Sequence, residues 1–505
     1  MTTVDESAVE ETEAELDRHL EAAARAAADG ARRSPGERAD ALEAVADALD
    51  ADSAALVPAA MAETGLPENR LAGELTRTTV QLRMFADVLR DGSYLRIVLD
   101  REDPDFVLGH RPDLRRALLP VGPVLVYAAS NFPFAFSVAG GDTASALAAG
   151  CPVVLKAHPG HPETSRRTAE IVRTALDASG APRGTFAMII GTQAGVRALK
   201  DARIKAAAFT GSVSGGRTLF DVAASRQRPI PFYGELGSIN PAVVTEEAER
   251  DRGQDIAEGF TSSFSLGAGQ FCTKPGILLV PENSALPARV AELAGQRPAA
   301  RLLTTRIAEG YRSRMDEVAA LSGVDVLTRS QEQETDSGVP AFTPGLFHAG
   351  SANNLLEHGE VLLEETFGPS AVIAEYASNE ELHRCLTALA GTLTVTIQTG
   401  RDPASTEQHR LAPVIELVTE RAGRVLFNQW PTGVAVTAAQ QHGGPYPATT
   451  APTHTSVGTA AIDRFLRPVA FQNAPDSLLP PGLREANPWE LPRTVHGPGR
   501  PSGAG

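Results

Sequence analysis

Between residues 5 and 62, apolar residues recur at helical spacing. Leu16, Leu20, Ala24 and Ala27 lie three or four positions apart, and Gly30 and the Ser34-Pro35 pair break the run. Leu42, Val45, Ala46, Leu49, Leu56 and Val57 carry the pattern on, and a further amphipathic helix is expected over Leu71 to Leu89. The charged residues of these helices read as solvated faces without chemistry. From Leu118 the texture changes to short apolar runs bounded by Gly and Pro, as expected of strands buried on both faces. LLPVGPVLVYAAS reads as the first such strand, followed by Asn131-Phe132-Pro133-Phe134 and a small-residue helix over 140–150. CPVVLKAHP, TFAMIIG (185–191) and IKAAAFTGS (204–212) read as further strands, with helices from Glu163 to Leu176 and over VSGGRTLFDVAASR. Strand and helix alternate through short connections, which predicts a doubly wound parallel sheet. Ligands of such sheets bind beyond the carboxyl ends of the strands, where Asn131, Lys156 and Ser212 all fall.

After Arg252 a helix over QDIAEGFTSSFSLGAG leads into GQFCTKPG, and ILLVP (277–281) reads as a strand. Alternation continues to about Gln398, giving a second α/β unit. From Val425 the chain is rich in Gly, Pro and Thr and reads as loop, and long loops inside compact domains usually carry function. The expected division is N-terminal helices and a cofactor domain over 1–236, a catalytic domain over 237–440, a returning segment over 441–490, and a disordered tail over 491–505.

Composition narrows the function. A chain of 505 residues with 42% hydrophobic and 21% charged residues is long enough for two or three substantial cores. Its net charge of -16 argues against binding nucleic acid, which needs a concentrated basic surface. No run approaches the ~20 apolar residues that cross a bilayer, and the acidic N-terminus lacks the order of a signal peptide. The three cysteines are widely spaced, with neither a metal nor a disulfide pattern, so a reducing, cytoplasmic setting fits best and no metal is expected. Cys151 and Cys385 read as core residues.

Cys272 is different. It stands in GAGQFCTKPG, between glycines and hydrogen-bonding residues, where a thiol on an exposed loop can meet a carbonyl carbon. Glu235 in GELG sits between glycines in an otherwise apolar stretch, which favours function over a solvated carboxylate. Asn131 reads either as a hydrogen-bond donor in a site or as a cap for the helix that follows. The dinucleotide fingerprint GxGxxG is missing. FTGSVSGG (209–216) is the nearest equivalent, either a phosphate-facing helix start or an ordinary Gly-rich turn.

Asn131 in SNFPF, Lys156, FTGS, Glu235 in GELG, Cys272 in GQFCT, and EETFGP (364–369) follow one another in the order and spacing of the aldehyde dehydrogenase superfamily, which the chain resembles from about residue 10 to residue 480. The wording of SNFPFAFSVAGGDTASALAAGCPVVLKAHPGHP, GQFCTKPG, QQHGGPYPATT and TSVGTAAIDRFLRPV resembles the branch of 2-oxoglutarate semialdehyde (2,5-dioxovalerate) dehydrogenases and NADP-using bacterial aldehyde dehydrogenases. The resemblance implies a Rossmann-like cofactor domain, an α/β catalytic domain and a small oligomerisation element, in a dimer or tetramer. It implies Cys272 as nucleophile, Asn131 and the Cys272 N–H as oxyanion donors, and Glu235 as general base. On the cofactor, NADP or NAD, it puts Lys156 at the adenosine ribose, and Phe209, Thr210, Gly211, Ser212 and Gly216 around the pyrophosphate turn. Glu365 falls at the nicotinamide ribose and Phe367 beside the ring. Phe132, Phe136 and Trp430 would line an apolar tunnel, with Gln270, Gln441 and His442 as substrate contacts.

Two positions depart from the family. Pro159 stands where NAD-preferring members carry an acid three residues after the lysine, and without that carboxylate a 2′-phosphate is not repelled. Ser130 replaces a common Trp. The expected reaction is oxidation of 2-oxoglutarate semialdehyde to 2-oxoglutarate, whose distal carboxylate wants an Arg, a His or backbone donors. Alternatives are broader or aliphatic aldehydes, transfer of the acyl group to coenzyme A (against which Glu235 counts), and a non-catalytic ligand-binding oligomer. A cysteine hydrolase is a further reading, for which the sequence places no histidine to activate Cys272.

Overall fold

The computed structural model describes residues 10–30, 32–402 and 404–498. Four N-terminal helices, Glu13–Gly30, Pro35–Ala51, Ser53–Thr64 and Glu68–Asp91, form where the apolar spacing places them. Ser34 starts the second with a reciprocal cap: Glu37 N–H donates to Ser34 Oγ at 3.2 Å, and Ser34 N–H to Glu37 Oε2 at 2.7 Å. Leu42, Val45, Ala46 and Leu49 of that helix are fully buried in the largest core.

The first sheet has five parallel strands in the order Phe186–Ile189, Val153–Lys156, Val124–Tyr127, Ala206–Gly211, Phe232–Leu236. The earliest strand lies in the centre, and the chain moves outward first on one side, then on the other. This is the doubly wound arrangement, with its crevice at the carboxyl ends of the central strands. The second sheet has seven strands, ordered Asp325–Thr328, Gly345–Ser351, Ser370–Tyr376, Ile277–Pro281, Pro241–Val244, Thr392–Gln398, Ala422–Phe427. Only the edge strand Asp325–Thr328 runs antiparallel to its neighbour. No helix among the described residues is long and apolar enough to cross a membrane.

Two expectations need correcting. LLPVGPVLVYAAS is not one strand. It breaks at Val121-Gly122-Pro123, where Gly122 takes φ 118°, and only Val124–Tyr127 enters the parallel sheet. Leu114–Pro120 instead pairs antiparallel with Leu466–Gln472 and with Ile97–Asp100 in a small four-stranded sheet. The residues taken as a tail from 491 also begin in order: Arg493–His496 pairs parallel with Ile97–Asp100 and completes that sheet. The final residues, 499–505, lie outside the described residues.

The crossing between sheets positions the site. Phe232–Leu236 ends the first sheet, Pro241–Val244 lies inside the second, and four residues join them. The exposed edge of Phe232–Leu236 is covered by the loop 448–450: Leu236 N–H donates to Ala448 O at 2.8 Å and Thr450 N–H to Gly234 O at 3.1 Å. That pairing carries the Gly-rich segment ahead of it back to the strand that holds Glu235.

Candidate active site

The helix Glu246–Ser265 delivers the chain to Cys272 through three consecutive left-handed residues, Gly267, Ala268 and Gly269 (φ 56°, 57° and 66°). For Ala268 that conformation costs about 1–2 kcal/mol. A side chain on Gly269 would collide with the Gly368 carbonyl, so the turn lets the nucleophile loop lie directly on the 365–369 strap. Asn240, itself left-handed at φ 50°, ties the loop from the other side: its Nδ2 donates to Cys272 O at 2.7 Å and Lys274 O at 3.1 Å. Lys274 is buried and donates to Thr366 O and Ser370 O, both at 2.8 Å, closing the strap onto the loop. Neither Asn240 nor Lys274 stands out in the sequence, although INP and CTKPG place each within a few residues of the key groups.

Asn131 donates from Nδ2 to Gln270 O at 3.0 Å, two residues before Cys272. It does not cap the next helix, Gly141–Ala149, which begins without a side-chain cap. Removing the Asn131 amide by alanine substitution is expected to lower kcat about 10²- to 10³-fold with little change in KM. Steady-state kinetics checks this, and an equal loss confined to KM would remove the oxyanion role.

Cys272, Glu235 and His442 meet. Sγ lies 3.6 Å from His442 Nε2, which lies 3.3 Å from Glu235 Oε1, and the reactive atoms of all three fall within 4.8 Å of one another. Glu235 and His442 are only 4% and 2% exposed, while Cys272 keeps partial access. Apart from the His442 contact, both Glu235 oxygens are buried without a hydrogen-bond partner. Such a group costs ~1–3 kcal/mol or more, and in a folded protein it marks a place kept for water or ligand. Burial raises the pKa of the Cys272 thiol well above its usual range. The charges of Glu235 and Glu365 add to the rise, and Arg77 opposes it. The sulfur is therefore held as a thiol and needs a neighbour to take its proton.

His442 corrects the sequence reading, which found no histidine beside the nucleophile. Its backbone is fixed at both ends, the N–H donating to Thr455 Oγ1 and the carbonyl accepting from Ser456 N–H, each at 2.9 Å. The one clue was the long Gly-rich loop; nothing local shows that it pairs with the Glu235 strand.

At the crevice, Thr210 Oγ1 and Glu365 Oε1 are buried without partners. Glu365 packs against Gly237, where any side chain would strike its carboxylate. Burial raises its pKa, with Lys274 opposing. Ser212 caps the helix Val213–Ala224 by accepting from Gly215 N–H at 3.2 Å. Gly216 lies beneath that helix, where a side chain would collide with Leu236, so its lack of a side chain lets the helix pack closely on the sheet. Phe209 packs between Tyr127 and Phe232, with centroids 5.9 and 6.2 Å away. Lys156 ends its strand half-buried, its stem beside Gly195, and Phe367 lies half-buried in the strap.

Phe132, Phe136 and Phe271 form an aromatic wall, with Phe132 5.3 Å from each of the other two and Phe136 6.2 Å from His442. Three expected substrate contacts have other partners. Gln270 Oε1 accepts from Leu303 N–H at 2.9 Å while its Nε2 donates to Gly267 O at 3.2 Å. Gln441 donates to His454 O at 2.9 Å. Trp430 packs on Phe260, 5.5 Å away, against the core of the second sheet.

The helix Glu68–Asp91 holds the largest departure from expectation. Its charged residues are not all solvated. Arg70 lies 5.0 Å over Phe132 and 4.7 Å over Phe271, and its Nη2 donates to Asn131 O at 2.7 Å. Glu74 is buried and its Oε1 accepts from Phe134 and Ala135 N–H at 2.8 and 3.0 Å, holding the loop after Asn131. Burial lifts its pKa to about 7 against those bonds and the nearby arginines. Arg77 stands over Phe136 at 5.3 Å.

A family model described as "Aldehyde dehydrogenase family" matches residues 3–465. The chain is similar to alpha-ketoglutaric semialdehyde dehydrogenase 2 of Azospirillum brasilense, with 44% identity over 96% of this chain and 92% of that protein. It is also similar to the alpha-ketoglutaric semialdehyde dehydrogenase of Acinetobacter baylyi, with 40% identity over 96% and 91%. Among solved structures it shares its fold with the NAD-dependent aldehyde dehydrogenase of Sinorhizobium meliloti, at TM-score 0.76 and 22% identity over 92% of this chain and 88% of that one. Betaine aldehyde dehydrogenase of Staphylococcus aureus in complex with NAD+ gives 0.77 and 19%, over 92% and 89%.

Proposed function

The chain belongs to the aldehyde dehydrogenase family, and on that premise we propose that it oxidises 2-oxoglutarate semialdehyde to 2-oxoglutarate, with NADP used at least as well as NAD. The observation that supports it most is the convergence of Cys272, Glu235 and His442 within 4.8 Å, on a loop that Asn131 bonds. Relatives sharing 44% and 40% identity over almost the whole chain carry the name of this substrate.

The residues present fit a nicotinamide dinucleotide. Thr210 Oγ1 and Glu365 Oε1 are buried polar atoms without partners at the carboxyl end of the first sheet. Thr210 leads directly into the helix start at Ser212, where backbone N–H groups suit a phosphate, and Glu365 packs against Gly237. Lys156 would hold the adenosine ribose and Glu365 the nicotinamide ribose. The bound group supplies the hydride acceptor.

The protein's own part begins with deprotonation. His442, 3.6 Å from Sγ and 3.3 Å from Glu235 Oε1, takes the Cys272 proton, and Sγ adds to the aldehyde carbon. The resulting oxyanion is met by the Asn131 amide and the Cys272 N–H, donors held in place before the charge develops. Loss of hydride leaves a thioester on Cys272. Glu235 then takes a proton from water as the water attacks that carbonyl, and Sγ leaves and recovers the proton held by His442. The acid departs while Glu235 gives its proton up to solvent.

Purified protein given 2-oxoglutarate semialdehyde and NADP, without coenzyme A, is expected to raise NADPH absorbance. Its kcat/KM with NADP is expected to equal or exceed that with NAD, since Pro159 replaces the acid that would repel a 2′-phosphate. A clearly lower value with NADP removes the cofactor assignment, and a signal that needs coenzyme A removes hydrolysis.

A further inference from the structure

We propose that Arg77 is the residue that grips the distal carboxylate of the substrate and so selects an oxo-acid aldehyde over an uncharged one. The inference rests on the proposed semialdehyde reaction and names its recognition group. Arg77 belongs to the helix Glu68–Asp91, three residues, just under one turn, after Glu74, which holds the Asn131 loop. Its guanidinium stands 5.3 Å over Phe136, whose ring lies 6.2 Å from that of His442, the neighbour of the nucleophile. The cation is thus at the aromatic wall of the substrate path.

What it lacks is a partner. Arg77 makes no hydrogen bond or ion pair among the described residues, and its Nε and Nη2 are buried unpaired. These two nitrogens share one edge of the guanidinium and together form the fork that takes both oxygens of a carboxylate. The other two arginines near the nucleophile are committed elsewhere. Arg70 donates to Asn131 O, and Arg424 to Gly433 O and Pro431 O at 3.2 and 2.8 Å. Glu74, the acid nearest along the helix, bonds the 134–135 backbone and forms no ion pair with Arg77. Burial lowers the pKa of Arg77, and the charges of Glu74, Cys272 and Glu235 offset part of that effect, so the cation lies within electrostatic reach of nucleophile and base. A half-buried cation whose open fork is buried against the aromatic wall suits an anion arriving on the substrate, because an unpaired donor pair is costly and an ionic hydrogen bond recovers the loss.

The test compares kcat/KM for 2-oxoglutarate semialdehyde with that for pentanal, an uncharged aldehyde of the same chain length, in the parent protein, Arg77→Met and Arg77→Lys. The preference for the acid is expected to fall roughly tenfold to hundredfold in Arg77→Met, mostly through KM. Arg77→Lys should fall between, because it keeps the charge and loses the fork. With pentanal as substrate, inhibition by added 2-oxoglutarate should weaken in the same order, a reading that also serves if one variant is poorly active. A parent protein with no preference for the acid would overturn the oxo-acid assignment itself. A preference that survives in both variants, with inhibition unchanged, would overturn the role of Arg77 and leave that assignment standing.

Discussion

Replacing Cys272 by alanine is expected to cut NADPH formation about 10⁴-fold or more while the protein still folds and binds the dinucleotide. The size follows from the chemistry. Hydride does not leave an aldehyde carbon readily until that carbon carries an alkoxide, and among the described residues no other thiol is near: Cys151 and Cys385 are buried in cores. Persistence of the fold follows from the way the loop is held. Asn131, Asn240 and Lys274 bond backbone carbonyls of residues 270, 272, 274, 366 and 370, and none of these bonds uses the sulfur. Thermal unfolding and quenching of intrinsic fluorescence by NADPH should therefore match the parent protein. Turnover within tenfold of the parent rate would dismantle the mechanism.

Cys272, Glu235 and Asn131 were readable because each sits in a short motif on a strand end or turn, where local sequence decides the backbone. His442 was readable as a site residue but not as a neighbour of sulfur. Its position depends on pairing between residues 448–450 and the strand Phe232–Leu236, over 200 positions away, and no local signal encodes that contact. Arg70, Glu74 and Arg77 were hidden for another reason. An amphipathic pattern sorts residues into apolar and polar faces, and it treats every charge on the polar side as solvated. A helix whose charged stripe covers a loop and an aromatic wall gives the same pattern as one that faces water. Gly216 and Gln270 carry structural work that the motif does not show, the one letting a helix pack on the sheet and the other holding the loop through Leu303 N–H. The parallel sheet itself was legible from its apolar runs. The strand at Leu114–Pro120 was not, because Gly122 divides one continuous run between two sheets.

Glu235→Gln is expected to separate the two halves of the reaction: a burst of about one NADPH per active site, then a steady rate lowered roughly 10²- to 10⁴-fold. The substitution keeps shape and volume, so the backbone pairing of Glu235 with Thr449 should hold. It removes a carboxylate beside Sγ whose two oxygens are both buried without a hydrogen-bond partner apart from the His442 contact, and an amide cannot take a proton from water. The burst should survive because His442 lies 3.6 Å from Sγ and remains to accept the thiol proton. Rapid-mixing absorbance at the nicotinamide band reads both phases. Loss of the burst together with the steady rate would assign both proton transfers to Glu235, leaving His442 to orient it from 3.3 Å. An unchanged steady rate would instead make His442 the base for water and end the role given to Glu235.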